Sequence, residues 1–353
     1  EHKIALELHV ACQLASRSVT PKRTMLRFGE KKGDTRSIIS KIVFAAAGVG
    51  AVLGVYLYTR RTSLSSSAVR AKKFKMVALD LDGTTLNTKH VISEGNKKAI
   101  RELVDRGVGL AIATGRSMSG IYDHLKVLKL PKPIPVLCLN GALCLKAGTD
   151  GKTVSTSMVF TDPVSKENAD GVVELAKEHN LLVQFYIGDK VYAVPKSEKH
   201  LELMKRYEVL AGYPQIKLKD FNELEKLGDP AKILLLTEDP DSLLEMAKKK
   251  FGDSLHLVRG SPDPFFVEFL AKGVCKGTGL LKLCEAEKID PKSIVAFGDG
   301  DNDMEFLQYA GMGCAMKNAR QVTKDKADVV LEWSNDEDGV GRQLERLTKE
   351  GSL

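Results

Sequence analysis

No two cysteines in this 353-residue chain stand in C-x-x-C spacing. The six, Cys12, Cys138, Cys144, Cys275, Cys284 and Cys314, are scattered through apolar segments. That argues against a zinc ribbon or finger and fits buried, reduced thiols. The globular part also lacks an excess of positive charge. The formal net charge is +7, but residues 1–75 hold 15 Lys or Arg against 4 Asp or Glu, which leaves 38 basic and 42 acidic residues for the rest. The basic character therefore belongs to the leader, and nothing in the remainder suggests a nucleic-acid surface.

Long apolar runs are scarce too, with one exception. Residues 42–58, IVFAAAGVGAVLGVYLY, carry no charged or amide side chain over 17 positions. That is the short end of what spans a bilayer and longer than a signal-peptide core. A single membrane anchor is expected there, with a cleaved targeting segment as the alternative. Residues 21–41 hold seven Lys or Arg and residues 59–75 hold six, so flanking charge sets no orientation. The leader at 1–41 is basic, Ser/Thr-containing and poor in acids, as in an organellar presequence, mitochondrial or plastid. Residues 59–73 read as a linker.

From Lys75 the chain alternates short apolar strands with amphipathic helices. Strands are expected at 75–80, 108–113 and 136–139, with a helix capped by Ser93 between the first two and another ending near Lys129. Pro131, Pro133 and Pro135 break the chain before the third strand. This rhythm implies α/β architecture with a parallel sheet covered on both faces. From about Asp162 the pattern changes. A helix at 165–179 precedes two runs joined at Gly188-Asp189, a hairpin signal. Another helix, a strand at 232–236, a helix at 241–251 and two further strands follow. The segment 162–260 thus reads as a separate α/β unit inserted between 74–161 and 261–353.

The chemistry gathers at strand ends, where ligands bind in open α/β sheets. VALDLDGTTL (77–86) places Asp80 and Asp82 at the mouth of the first strand. Two adjacent carboxylates resist ionising together, so a cation or a reaction must offset their repulsion. GDGDNDMEFL (298–307) adds Asp299, Asp301 and Asp303. An EF-hand calcium loop is excluded, because Met304 stands where glycine is needed and Ala310 where glutamate is needed. Mg²⁺ suits hard oxygen ligands of this kind. Asp80 could then attack phosphorus and Asp82 could serve as general acid and base. Thr114 and the backbone at Gly115 offer an anion cradle. Lys276 could stabilise the transferring group, although a surface lysine is the default reading and Lys272 competes with it.

The motifs DLDGTTL, ATGRS (113–117), KGVCKG (272–277) and GDGDNDMEFL occur in order. In this the chain resembles the haloacid dehalogenase superfamily, and within it the Cof-type phosphatases, over residues 74–345. The resemblance implies a parallel-sheet core with an inserted α/β cap. It also implies Mg²⁺-dependent hydrolysis of a small phosphorylated metabolite through an aspartyl-phosphate. Asp80 would be the nucleophile and Asp82 the acid/base. Asp80, the Asp82 carbonyl and Asp299 would hold Mg²⁺, with Asp303 in support. Thr114, Lys276 and Asn302 would contact phosphate, and Arg116 would face substrate. Asn140-Gly141 matches a family position, with a plain hairpin turn as the alternative. Thr85 departs from the family's usual leucine. A phosphomutase and a membrane-tethered, non-catalytic phosphometabolite-binding protein stand as alternative functions.

Overall fold

The computed structural model of the protein describes residues 74–260 and 265–353. The leader, the membrane span expected at 42–58 and the linker at 59–73 lie outside the described residues. Among the described residues, no helix is long and apolar enough to cross a membrane.

The chain begins with β1 (Met76–Leu79), α1 (Glu94–Asp105), β2 (Gly109–Ala113), α2 (Tyr122–Leu128) and β3 (Ile134–Cys138). β1 is buried on both faces and sits in the middle of its sheet, which accounts for its unbroken apolar run. Ser93 caps α1 by accepting from the Asn96 amide. β3 contains Pro135, but only Val136 and Leu137 pair with β2, so the missing N–H precedes that ladder. β4 (Leu143–Thr149) and β5 (Val154–Thr161) follow.

An eight-stranded sheet results, in the order β14-β13-β12-β1-β2-β3-β4-β5. Its later members are β12 (Ile294–Gly298), β13 (Met312–Ala315) and β14 (Val329–Val330). β14 through β3 are parallel, but β3–β4 and β4–β5 are antiparallel. The sheet is therefore mixed, not parallel throughout as the apolar runs suggested. The reversal is made at Leu139–Gly141, where Leu139 and Asn140 take left-handed φ values of 54° and 55°. A bulky residue pays steric strain there, and only the local turn reveals it.

The second sheet lies between these parts of the chain. Its elements are α3 (Lys166–Glu178), β6 (Leu182–Ile187), β7 (Lys190–Ala193), α4 (Glu198–Ala211), β8 (Ile216–Lys217), α5 (Phe221–Glu225), β9 (Lys232–Leu236), α6 (Pro240–Phe251), β10 (Leu255–Arg259) and β11 (Phe266–Ala271). The strand order is β10-β11-β9-β6-β7-β8. The sheet thus extends past the boundary expected at residue 260. β10 and β11 are antiparallel neighbours, so the sheet continues through β11. One face has its own core, with Val183, Phe185, Ile233 and Phe269 against α3 and α6. The other face, with Leu182, Tyr186, Leu234 and Leu270, is continuous with the core of the eight-stranded sheet.

After β11 come α7 (Lys276–Glu287), α8 (Met304–Tyr309), α9 (Gln321–Lys324) and α10 (Gly339–Lys349), interleaved with β12 to β14. α7 approaches the Leu139–Gly141 turn closely. A Cβ on Gly141, at φ +94°, would lie 2.6 Å from the Cys275 carbonyl oxygen, so only glycine fits. This contact draws the start of α7, and with it Lys276, toward the strand ends.

Candidate active site

β1 pairs with β12 through Leu79↔Phe297 and with β2 through Leu79↔Ile112. That register brings the residues after three strands to one edge: Asp80 after β1, Thr114 after β2, and Asp299 to Asp303 after β12. Lys276 reaches the same place from the first turn of α7. Its Nζ donates to Asp80 Oδ1 at 2.6 Å and to Asp303 Oδ1 at 2.8 Å. All three side chains are at most 5% exposed. Lys276 is therefore not a surface lysine, whereas Lys272 is exposed.

Asp303 spends its second oxygen on the backbone: Oδ2 accepts from the amides of Asp299 at 3.0 Å and Gly300 at 2.9 Å. It thereby fixes the turn that carries Asp299. Asp80, Asp299 and Asp303 each offer an oxygen within 4.8 Å of the others. Such a set of hard donors fits a divalent cation, with Asp80 and Asp299 the acids less fully engaged by the protein. Gly83, at φ +76°, is required beside them, since a Cβ there would fall 2.2 Å from Asp299 Oδ2.

Electrostatics agree with the geometry. Burial, then the Asp303 charge, pushes the Asp80 carboxyl well up, against the pull of Lys276. The same two causes raise Asp299 from 3.8 to about 6. Burial lowers the Lys276 ammonium pKa, but the Asp303 and Asp80 charges outweigh it and hold the group protonated. These raised acids give a signed expectation for metal-free protein. Folded Asp299 holds a proton in an interval where the unfolded chain has lost it. Its stabilising contribution is complete below the unfolded pKa and is lost as pH rises through about 6. In chelator, the melting temperature of the native chain should fall relative to Asp299→Asn as pH rises from about 4 to about 7. A difference independent of pH would contradict this.

Asp82 stands apart from the buried lysine. Arg116 donates to it through Nε at 2.7 Å and Nη2 at 2.5 Å, and His90 Nδ1 lies 3.6 Å away. Burial raises the Asp82 pKa, but the hydrogen bond and charge of Arg116 prevail and hold the carboxyl below its usual range. Arg116, expected to face substrate, is here bound to Asp82. Thr114 is fully buried, and its Oγ1 accepts from the Arg116 amide at 3.1 Å. Asn302 Nδ2 donates to Asn140 Oδ1 at 2.9 Å, and that oxygen also lies beside Gly115. The two readings of Asn140-Gly141 were not exclusive: the pair is a hairpin turn and it reaches the site.

Three hydrogen bonds escaped the sequence reading. Thr84 Oγ1 donates to Asp299 Oδ1 at 3.0 Å. Asn318 Nδ2 donates to the Gly83 carbonyl at 2.8 Å. Thr85 Oγ1 donates to the Asp80 carbonyl at 2.6 Å, which gives its departure from leucine a structural use. Thr84 and Thr85 stood inside a quoted motif and could have been found. Asn318 follows β13 in a loop and carries no spacing signal.

The family of haloacid dehalogenase-like hydrolases matches residues 77–344 of the chain. The chain belongs to that family. This haloacid dehalogenase-like hydrolase is 28% identical over 292 residues to the "5-amino-6-(5-phospho-D-ribitylamino)uracil phosphatase YwtE" of Bacillus subtilis, covering 77% of the chain and 98% of that protein. It is 30% identical over 285 residues to the "Endoribonuclease YBEY, chloroplastic" of Arabidopsis thaliana, covering 78% of the chain but only 46% of the plant protein. Among solved structures, one from Thermotoga maritima superposes with a TM-score of 0.67 at 28% identity, over 77% of this chain and 97% of that one. The enzyme is a phosphatase of the Cof type.

Proposed function

We propose that this phosphatase hydrolyses a small monoester of a sugar, polyol or cofactor type, with Asp80 as nucleophile and Asp82 as general acid and base. The observation that carries the reading is the burial of Asp80 and Asp303 on one lysine, with Asp299 alongside. An Asp80 oxygen attacks phosphorus, and the ester oxygen leaves with a proton from Asp82. Water, deprotonated by Asp82, then attacks the aspartyl-phosphate and releases inorganic phosphate. Arg116 must let go of Asp82, and the freed carboxylate must take a proton from water, before the first proton transfer. Lys276 holds positive charge against the phosphoryl oxygens, while Thr114, the Gly115 amide and Asn302 bind them. Asp80, the Asp82 carbonyl and Asp299 would hold Mg²⁺, supported by Asp303. When bound, the ion supplies charge that lets a carboxylate approach a phosphate dianion. The basic leader, and the word chloroplastic in the plant relative's name, support an organellar location.

A phosphate-release panel over sugar, polyol and ribityl monophosphates tests this. Turnover of at least one ester is expected with Mg²⁺, with loss of about 100-fold or more in chelator and recovery on adding Mg²⁺ back. Undiminished velocity in excess chelator would contradict the cation's role. Isomerised sugar phosphate in place of free phosphate would favour a mutase.

A further inference from the structure

Two crossings join the second sheet to the rest of the chain, and both are tied down. Before it, the Asp162 amide donates to the Ala142 carbonyl at 2.7 Å and the Asp162 carboxylate pairs with Lys282. After it, α7 starts against the Leu139–Gly141 turn. Between these ends the second sheet packs on the eight-stranded sheet through apolar side chains such as Leu182, Leu234 and Leu270. Apolar contact is non-directional, so it fixes orientation less sharply than a hydrogen bond does. Among the described residues, one side-chain hydrogen bond joins residues 165–270 to the rest: the Tyr122 hydroxyl donates to Asp189 Oδ2 at 3.0 Å.

Both partners are held from behind. β6 and β7 pair as far as Ile187↔Lys190, so Gly188-Asp189 is a two-residue turn with little freedom. Tyr122 opens α2. Burial, then the hydrogen bond to Asp189, pushes its phenol up to about 12, so the hydroxyl remains a donor. Gly120 is a second meeting point. A Cβ there would lie 3.3 Å from the Tyr213 ring and 3.5 Å from the Ala211 carbonyl oxygen, at the end of α4. The Gly120 carbonyl accepts from Arg116 Nη1 at 3.4 Å, and Arg116 in turn holds Asp82. One short turn, Ser117–Tyr122, thus lies between the second sheet and the proposed general acid.

We infer that Tyr122 and Asp189 form a positioning pair: their hydrogen bond fixes the second sheet on the Ser117–Tyr122 turn, and that turn sets Arg116 and, through it, Asp82. The pair acts through Asp82 and so rests on the proposed hydrolysis. An alkyl ester needs its leaving oxygen protonated, which is the task of Asp82. p-Nitrophenolate leaves without a proton. Loosening the pair therefore penalises the alkyl ester selectively, and kcat/KM, which reports the steps up to phosphoryl transfer, registers the difference.

The test compares Tyr122→Phe, Asp189→Asn and the double variant with the native enzyme, on a sugar or polyol monophosphate that it turns over and on p-nitrophenyl phosphate. Both substitutions are near-isosteric at half-buried positions, so native melting is expected. Each single variant should lower kcat/KM for the alkyl ester roughly fivefold or more, and for p-nitrophenyl phosphate by less than about twofold. The double variant should be no worse than either single, since all three break the same bond. Independently of turnover, hydrogen exchange should quicken in Asp189→Asn at the amides of Gly120 and Ile121, which donate to the Ser117 and Met118 carbonyls at 3.1 Å. Unchanged exchange there, equal losses on both esters, unchanged kinetics, or losses that add in the double variant would each overturn the pair's role. If the native enzyme releases no phosphate from any ester, the hydrolytic reading fails, while the exchange result still decides whether the pair holds the turn.

Discussion

Replacing Asp80 by asparagine is expected to reduce phosphate release by on the order of 10⁴-fold or more and to leave the fold intact. The amide keeps the size and one acceptor of the carboxylate, so Lys276 retains a partner, but an amide oxygen cannot form the covalent ester. The fold should tolerate the change because β1 is held by β12 and β2 on either side, not by its terminal acid. In chelator the variant should melt no lower than the native chain, since burial and the Asp303 charge already disfavour the Asp80 anion. Substantial turnover in a purified, folded Asp80→Asn enzyme would remove this residue from the nucleophile's role.

Lys276→Met is the second large effect, and it should strike stability as well as turnover. The native ammonium is shared by two buried carboxylates at 2.6 and 2.8 Å. Without it they face each other with no cation between them. Removing one partner of a buried ion pair costs about 3–5 kcal/mol. For a chain of this size that lowers the melting temperature by about 10 °C. The loss should be smaller near pH 5 than near pH 8, because protonating the acids relieves the repulsion. kcat should drop by about 100-fold or more even where the variant is folded. Lys272→Met, at an exposed position four residues away, serves as the control and should change neither property. A Lys276→Met protein with native melting behaviour at both pH values would mean that the lysine does not hold the acids together.

The meeting of the candidate residues at one sheet edge was legible in the sequence because each piece ends an apolar strand. Asp80, Thr114 and Asp299 lie just past β1, β2 and β12, and hydrophobic continuity marks those ends without any tertiary knowledge. What the sequence left hidden depends on which side chains meet across the chain. Asp82 and Arg116 were both singled out, but nothing in their spacing says that the arginine's two nitrogens take both carboxylate oxygens. Asn318 was silent because a single loop asparagine has no period or motif to betray it. The mixed sheet was misread because the hairpin alternative at Asn140-Gly141 was not carried through to its consequence, that the strand after it must run antiparallel to β3. The second sheet's extension to Ala271 was missed because nothing in the sequence says that β11 pairs with β9 and β10.

Acid quenching during turnover of a good ester, followed by mass analysis of the peptide spanning Met76–Leu86, addresses the central claim most directly. The account predicts a phosphoryl group on Asp80, labile to hydroxylamine as an acyl phosphate is, and absent from Asp80→Asn. Turnover proceeding with that peptide unmodified, or phosphate found on a different residue, would contradict it.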